Sequence, residues 1–238
     1  MTVSGSTDAK STAVEIIEDA RALLGIHSEE EPLDENESEM GRRILTKMLK
    51  AWEADGIGAT LLTEGSLTLV SSQASYLFGS GGEITTVPFE IVSARISRSS
   101  NDIPMWRLSR EEYQRIPNKT ATGYPTQFFY DRQRDNGSLY VWPVPDSSAG
   151  TFKFTYRRRI MDIDANGDNF DLPPEWEEAI TYNLAMRLQP TYGLSSSKSA
   201  DDIRNMAKES YLLVKMWDTA GEEGSVYFSP DDQRYGVR

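Results

Sequence analysis

Two kinds of apolar spacing alternate along the chain. Ala13, Ile16, Ile17, Ala20, Leu23 and Leu24 recur at helical intervals, which places them on one face of a helix over Thr12–Leu24. Thr12 and Glu15 stand at T-x-x-E capping-box spacing, and Gly25 supplies a C-terminal stop. A second helix is expected from about Asp34 to Asp55, with Met40, Ile44, Met48 and Trp52 as its stripe, flanked by Leu45 and Leu49. Gly56 and Gly58 end it. The intervening "EEEPLDENE" reads as a solvated turn followed by an acidic first helical turn.

From Thr60 the period falls to two. "SLTLVSSQASYLFGSGGEITTVPFEIVSARISRS", "QFFYDRQRDNGSLYVWPV" and "TFKFTYRRR" alternate as half-buried strands do. Asn136-Gly137 marks a hairpin between two β-rich runs. A short helix is expected near residues 109–116, within "SREEYQRI". In "YVWPVPD", Pro143 and Pro145 cannot donate to a ladder, so pairing ends there. Trp142 is expected to cap the core of this β region at that point.

Helical spacing returns in "DLPPEWEEAITYNLAMRLQP", where Trp176, Ala179, Ile180, Leu184 and Leu188 form one face. In "SADDIRNMAKESYLLVKMW" the corresponding face holds Ile203, Met206, Ala207, Ser210, Leu213, Val214 and Trp217. Isolated helix pairs bury too little surface to stand alone. The expected fold is therefore α+β: a four-helix bundle with an inserted antiparallel β-rich domain and an extended C-terminal tail. The boundaries expected are 1–58 and 161–220 for the bundle helices, 59–160 for the insertion and 221–238 for the tail. Trp52, Trp142, Pro143, Pro145, Trp176 and Trp217 are the expected structural residues.

Composition removes several chemistries. The chain of 238 residues has no Cys and one His. That excludes disulfides, a Cys–His pair and a structural zinc site of several N or S ligands. His27 follows a helix end beside acids and reads as a surface loop residue. No apolar run approaches membrane-spanning length. The first residues lack the basic start and apolar stretch of a secretory signal. The formal net charge is −12, and residues 1–60 hold 13 acidic and 6 basic side chains. Such a balance opposes tight binding to phosphates. It suits a surface past which DNA slides, and Glu29–Glu39 are candidates for that surface.

Four local motifs fail on inspection. Asp162, Asp164, Asn166, Gly167 and Asp168 match the first positions of a calcium loop, but Pro173 stands where the bidentate Glu belongs. An Asx-rich turn is the expected structure. "FGSGGE" lacks the Lys-Ser/Thr of a phosphate loop and reads as a hairpin tip. Arg157, Arg158 and Arg159 alternate in direction along a strand, which suits ordinary salt bridges. The neighbouring pairs Glu111–Glu112 and Glu177–Glu178 do not face each other on a helix. No metal or cofactor is expected.

The stretches "EIIEDARALLGI", "LTKMLKAWEADGI", "SSQASYLFGSGGE", "WRLSREEYQRIPNK", "GSLYVWPVPD" and "LPPEWEEAITYNLAMRLQPTYG", in that order, resemble the head-to-tail adaptor proteins of short-tailed bacteriophages. The resemblance covers roughly residues 12–220. It implies a structural virion protein at the head-tail junction, present in the host cytoplasm during assembly. It implies a ring of about twelve copies beneath the portal protein, a tail nozzle or tube protein on the distal face, and DNA passing through the channel. It also implies that the C-terminal segment reaches the portal. There Tyr227, Phe228 and Tyr235 have the size of interface anchors, with Arg234 and Arg238 facing portal acids. No catalytic motif carries over. The competing reading is a carboxylate-dependent peptidoglycan hydrolase associated with the tail; a calcium- or sugar-binding module is a third.

Overall fold

A computed structural model describes residues 11–26, 33–57, 61–99, 101–146, 150–194 and 198–220. In chain order the elements begin with α1 (Ala13–Leu23), α2 (Glu35–Ala54), β1 (Leu62–Thr68), β2 (Ser75–Phe78), β3 (Glu90–Arg98) and β4 (Asn101–Arg107). Next come α3 (Arg110–Arg115), β5 (Thr122–Gly123), β6 (Gln127–Arg132), β7 (Gly137–Trp142), β8 (Val144–Pro145) and β9 (Thr151–Arg157). A 3-10 turn (Pro174–Trp176), α4 (Glu177–Leu188) and α5 (Lys198–Ala220) complete the described elements. Two compact units result. One combines residues 1–60 with 160–238, and the other is residues 61–159. Among the described residues no helix is long and apolar enough to cross a membrane.

In the helical unit, α1 starts where its capping residues require. The Thr12 N–H donates to Glu15 Oε2 at 2.7 Å, and the Glu15 N–H donates to Thr12 Oγ1 at 3.4 Å. Helix α2 approaches α1 closely at Gly41, where a Cβ would stand 2.9 Å from Ile17 Cγ2. Helix α4 lies against α1, α2 and α5. Its buried residues Ala179, Ile180, Asn183, Leu184, Ala185 and Leu188 are spread around most of its circumference, as in a helix surrounded by protein.

The loop 162–168 is a clasp on the first two helices. Asp168 accepts the Asp164 and Ala165 N–H groups at 2.9 and 2.8 Å. Its carbonyl accepts the Ala13 N–H at 2.8 Å, and the Asn166 carbonyl accepts the Val14 N–H at 3.2 Å. The Ser38 hydroxyl donates to Asn166 Oδ1 at 2.7 Å, and Lys50 pairs with Asp162 at 2.9 Å. The Asx-rich turn thus holds the N-terminus of α1 and one side of α2. Among the described residues, no cluster of three or more His, Cys, Asp or Glu is arranged to hold a metal.

The other unit is a seven-stranded sheet that curls into a half-barrel, in the order β1-β9-β3-β4-β6-β7-β2. Its concave side is filled by aromatic rings. Phe154 lies 5.5 Å from Phe78 and 5.3 Å from Phe152, and Phe152 lies 5.6 Å from Phe128. Strands β6 and β7 form a hairpin around Asn136, whose carbonyl accepts the Gln133 N–H at 3.1 Å. Gly137 is needed for a reason other than the turn: a Cβ there would stand 2.2 Å from the Tyr130 hydroxyl. The "GSGG" loop folds back on edge strand β2. Glu83 accepts the Leu77 N–H at 2.7 Å and a Gln73 amide proton at 2.8 Å. That blocks an edge otherwise open to another chain.

Both halves of the expected fold class need correction. The helices do not form a four-helix bundle. A bundle asks each helix for one apolar stripe, whereas α4 is buried on several sides and α5 packs mainly along α4. The sheet is mixed rather than antiparallel, because β4 and β6 pair in parallel. A parallel pair needs a crossover, and residues 108–126 with α3 provide it. Tyr113 of α3 stacks at 5.2 Å on Phe129 and lies 5.1 Å from Tyr140, so the crossover covers the outer face of β6 and β7.

Phe154, fully buried among three aromatic neighbours, should dominate the sheet unit's stability. Phe154→Ala is expected to lower unfolding free energy by about 3–5 kcal/mol in denaturant titration. A loss below about 1 kcal/mol would mean that the sheet collapses around the gap.

Candidate functional site

Hydrogen bonds hold the carboxyls that shift below their usual range: Glu15 through the Thr12 N–H, Asp102 through Ser97, Glu112 through the Ser109 N–H and Asp168 through the Ala165 N–H. A glycosidase acid needs a shift the other way. Glu177 accepts from the Ser11 hydroxyl, and Glu111 pairs with Arg115 at 2.6 Å. Three surfaces of the helical unit are candidates for contact with other molecules.

The first surface belongs to α5. Its middle is anchored to the end of α2 by one compact group. The Tyr211 ring lies 4.9 Å from Trp52, which lies 5.7 Å from Trp176. The Tyr211 hydroxyl donates to Asp55 Oδ2 at 2.5 Å, and Lys215 Nζ donates to the same oxygen at 2.6 Å. Lys215, then Tyr211, hold the Asp55 carboxyl below its usual 3.8. Burial, then Asp55, push the Tyr211 hydroxyl up. With that edge of α5 fastened, the opposite edge exposes Leu212, Leu213, Met216 and Trp217 at 57, 70, 71 and 47 %. An exposed apolar strip of this length marks an interaction site.

Two grooves flank other helices of the same unit. One, of about 790 Å³, has Ala22, Leu23, Pro174 and Tyr182 as its apolar floor and Asp19, Glu175, Glu177 and Glu178 on its rim. The other, of about 420 Å³, runs along α2 between Arg42, Arg43, Thr46 and Lys47 and the loop at Ile163 and Asp164. Neither was visible in the sequence, because each joins segments more than a hundred residues apart.

The residues singled out from sequence are dispersed. Trp52 and Trp176 are buried in the helical unit, and Pro145 is buried in the sheet unit. Trp142 and Pro143 are half-buried, joined by a cis peptide bond. The Trp142 indole N–H donates to the Asn118 carbonyl at 2.9 Å, tying β7 to the crossover. On α5, Ile203, Ala207 and Val214 are buried, whereas Met206, Leu213 and Trp217 are exposed. His27, Glu29, Glu30 and Glu31 lie outside the described residues, as do Tyr227, Phe228, Arg234, Tyr235 and Arg238. The anchor residues Asp55, Tyr211 and Lys215 escaped sequence reading; their one signal is the spacing of Tyr211 and Lys215 on one helical edge.

Asp55 predicts an acid limit. Its carboxyl is lower in the folded protein than its usual 3.8, so its contribution is present above that pH and is lost as pH falls through the folded value. Trp52 fluorescence, followed from about pH 6 to about pH 2, should report α5 loosening below about pH 4. Asp55→Asn should lower the melting temperature at neutral pH and flatten this acid limb. An acid limb unchanged in the variant would assign it to another carboxylate.

Comparison with curated proteins finds no match. A family model described as SU10 adaptor protein matches residues 11–215, from the residue before the α1 cap to the Lys215 anchor. The match takes in both compact units and the groups that join α1, α2, α4 and α5. On that match, the chain belongs to the SU10 adaptor protein family, a family of phage head-to-tail adaptors.

Proposed function

We propose that this protein is the structural connector between portal and tail: a ring of about twelve copies at the head-tail junction. The portal protein binds on one side and the tail nozzle or tube protein on the other. The ring assembles in the host cytoplasm and helps to retain packaged DNA, which passes through the channel without specific binding. Family membership supports a structural virion protein. The excess of acidic side chains suits a channel wall that does not hold DNA.

The observation that carries portal docking is the exposed strip Leu212, Leu213 and Trp217 on the last turns of α5. The chain continues from it into residues 221–238, which add Tyr227, Phe228 and Tyr235. Together they form one run of large apolar anchors of the kind that dominates interface energy. Arg234 and Arg238 would meet portal acids, adding register more than affinity. A ring of copies compensates for weak single contacts through effective concentration. The peptidoglycan-hydrolase alternative has no comparable observation behind it.

Deleting residues 222–238, and separately changing Leu213 and Trp217 to Ala, tests this. Both proteins are expected to melt within a few degrees of the unaltered chain; for the Leu213 and Trp217 variant the reason is the exposure of the strip. Both should lose association with the purified portal of the same phage by roughly ten-fold or more. Portal binding unchanged in both would refute the docking surface.

A further inference from the structure

The two grooves of the helical unit differ in charge: the one along α2 is lined by Arg42, Arg43 and Lys47 together with Glu39 and Asp164, and the other by four acids and no cation. Several described cations are paired internally: Arg21 with Glu37, Lys50 with Asp162 and Glu53, Arg95 with Glu64 and Asp102, Arg115 with Glu111 and Lys215 with Asp55. Arg43 and Lys47 differ. They are exposed, one helical turn apart, on the side of α2 turned away from its buried residues Gly41, Leu45, Met48 and Trp52. Neither has an ion-pair partner among the described residues. Arg42 extends the row, with its guanidinium donating to the Asp164 carbonyl and its Nε buried without a partner. In a chain of net charge −12, Arg42, Arg43 and Lys47 form a ridge of net positive charge, with Glu39 at one end.

The acidic groove is the counterpart. Asp19, Glu175 and Glu178 are exposed on its rim and have no ion-pair partner among the described residues. Glu175, in the 3-10 turn, and Glu178, in the first turn of α4, are three residues apart and lie about one turn apart. That spacing matches Arg43 and Lys47 on α2. Between the acids, Ala22, Leu23 and Tyr182 offer apolar surface on which the stems of Arg and Lys can lie.

Resting on the connector reading above, we propose that neighbouring copies in the ring join through these two surfaces. The basic ridge of α2 in one copy seats in the acidic groove between α1 and α4 of the next. The two surfaces differ, so the contact is head-to-tail, the type that closes a ring when the rotation allows. Each exposed pair is weak alone. Closure lets every copy make the contact twice, and effective concentration raises the whole. The arrangement also gives assembly a strong salt dependence.

Charge reversal in two variants tests the pairing. Arg43→Glu with Lys47→Glu makes the ridge acidic, and Glu175→Lys with Glu178→Lys makes the groove basic. All four positions are exposed, and circular dichroism and melting should match the unaltered chain. Ring formation on purified portal is read by native mass spectrometry and by mass photometry. The unaltered chain should form rings that weaken as salt rises from about 0.05 to about 0.5 M. Each variant alone should lose self-association by roughly ten-fold or more, since like charges now meet at every contact.

An equal mixture should recover rings, because each ridge then finds a groove of opposite charge in the other variant. Rings formed by either variant alone, or a mixture that stays as defective as its parts, would overturn the pairing. If the reversed ridge left rings intact but abolished binding to short duplex DNA, the ridge would be a phosphate contact and the proposal would fall. An unaltered chain that bound portal without forming a ring would refute the connector reading itself, a result distinct from the other failures.

Discussion

Helix α4 is surrounded, and the helical unit is organised by that constraint. Its buried residues lie on several sides, so α1, α2 and α5 must each present an apolar face to it. Two buried amides convert this packing into a defined register. Asn183 Nδ2 donates to the Ala179 and Ala207 carbonyls, both at 2.8 Å, and Gln189 Nε2 donates to the Ala200 carbonyl at 3.2 Å. A helix sliding along α4 would leave these groups unpaired in an apolar setting, which is costly. Once α5 is set against α4, Tyr211 and Lys215 reach Asp55, and the exposed strip is aimed outward as a consequence.

The sheet unit answers a different constraint. A curled sheet has to fill its concave side, and here Phe78, Phe128, Phe152 and Phe154 do so through edge-on and offset contacts. Its convex side is divided. Tyr113 of α3 covers the aromatic part over β6 and β7. The part over β1, β9, β3 and β4 is polar, with Arg95 bound to Glu64 and Asp102 at 2.9 Å each. Exposed pairs of this kind contribute little stability. They keep a broad surface wet, while Trp106, 75 % exposed, is available at its margin.

These features accord with a member of a structural adaptor family. Carboxyls with shifted affinity for protons are held ionised by hydrogen bonds to caps, turns and the Lys215 anchor. The surfaces that remain unspent are an apolar strip, a basic ridge and an acidic groove. An adaptor needs several distinct contacts at once, and the helical unit offers three in separate places.

Local elements were legible because their causes are local. Thr12 and Glu15 cap α1, Ser109 and Glu112 cap α3, and the β6–β7 hairpin turns at Asn136. Each signal spans a few residues, within which sequence and conformation are directly coupled. The architecture was misread because period reports only that a face is apolar, not what will cover it. Leu213 and Trp217 share a helical stripe with Val214, yet Val214 is buried and the other two are exposed. That division was made by Tyr211 and Asp55, 156 residues apart. The parallel pairing of β4 with β6 likewise depends on where α3 carries the chain, and the two grooves exist only where α1 meets α4 and α2 meets the 162–168 loop. The sequence by itself determined the caps, periods and missing chemistries; tertiary packing decided which apolar faces stay exposed, because burial depends on partners that come from distant parts of the chain.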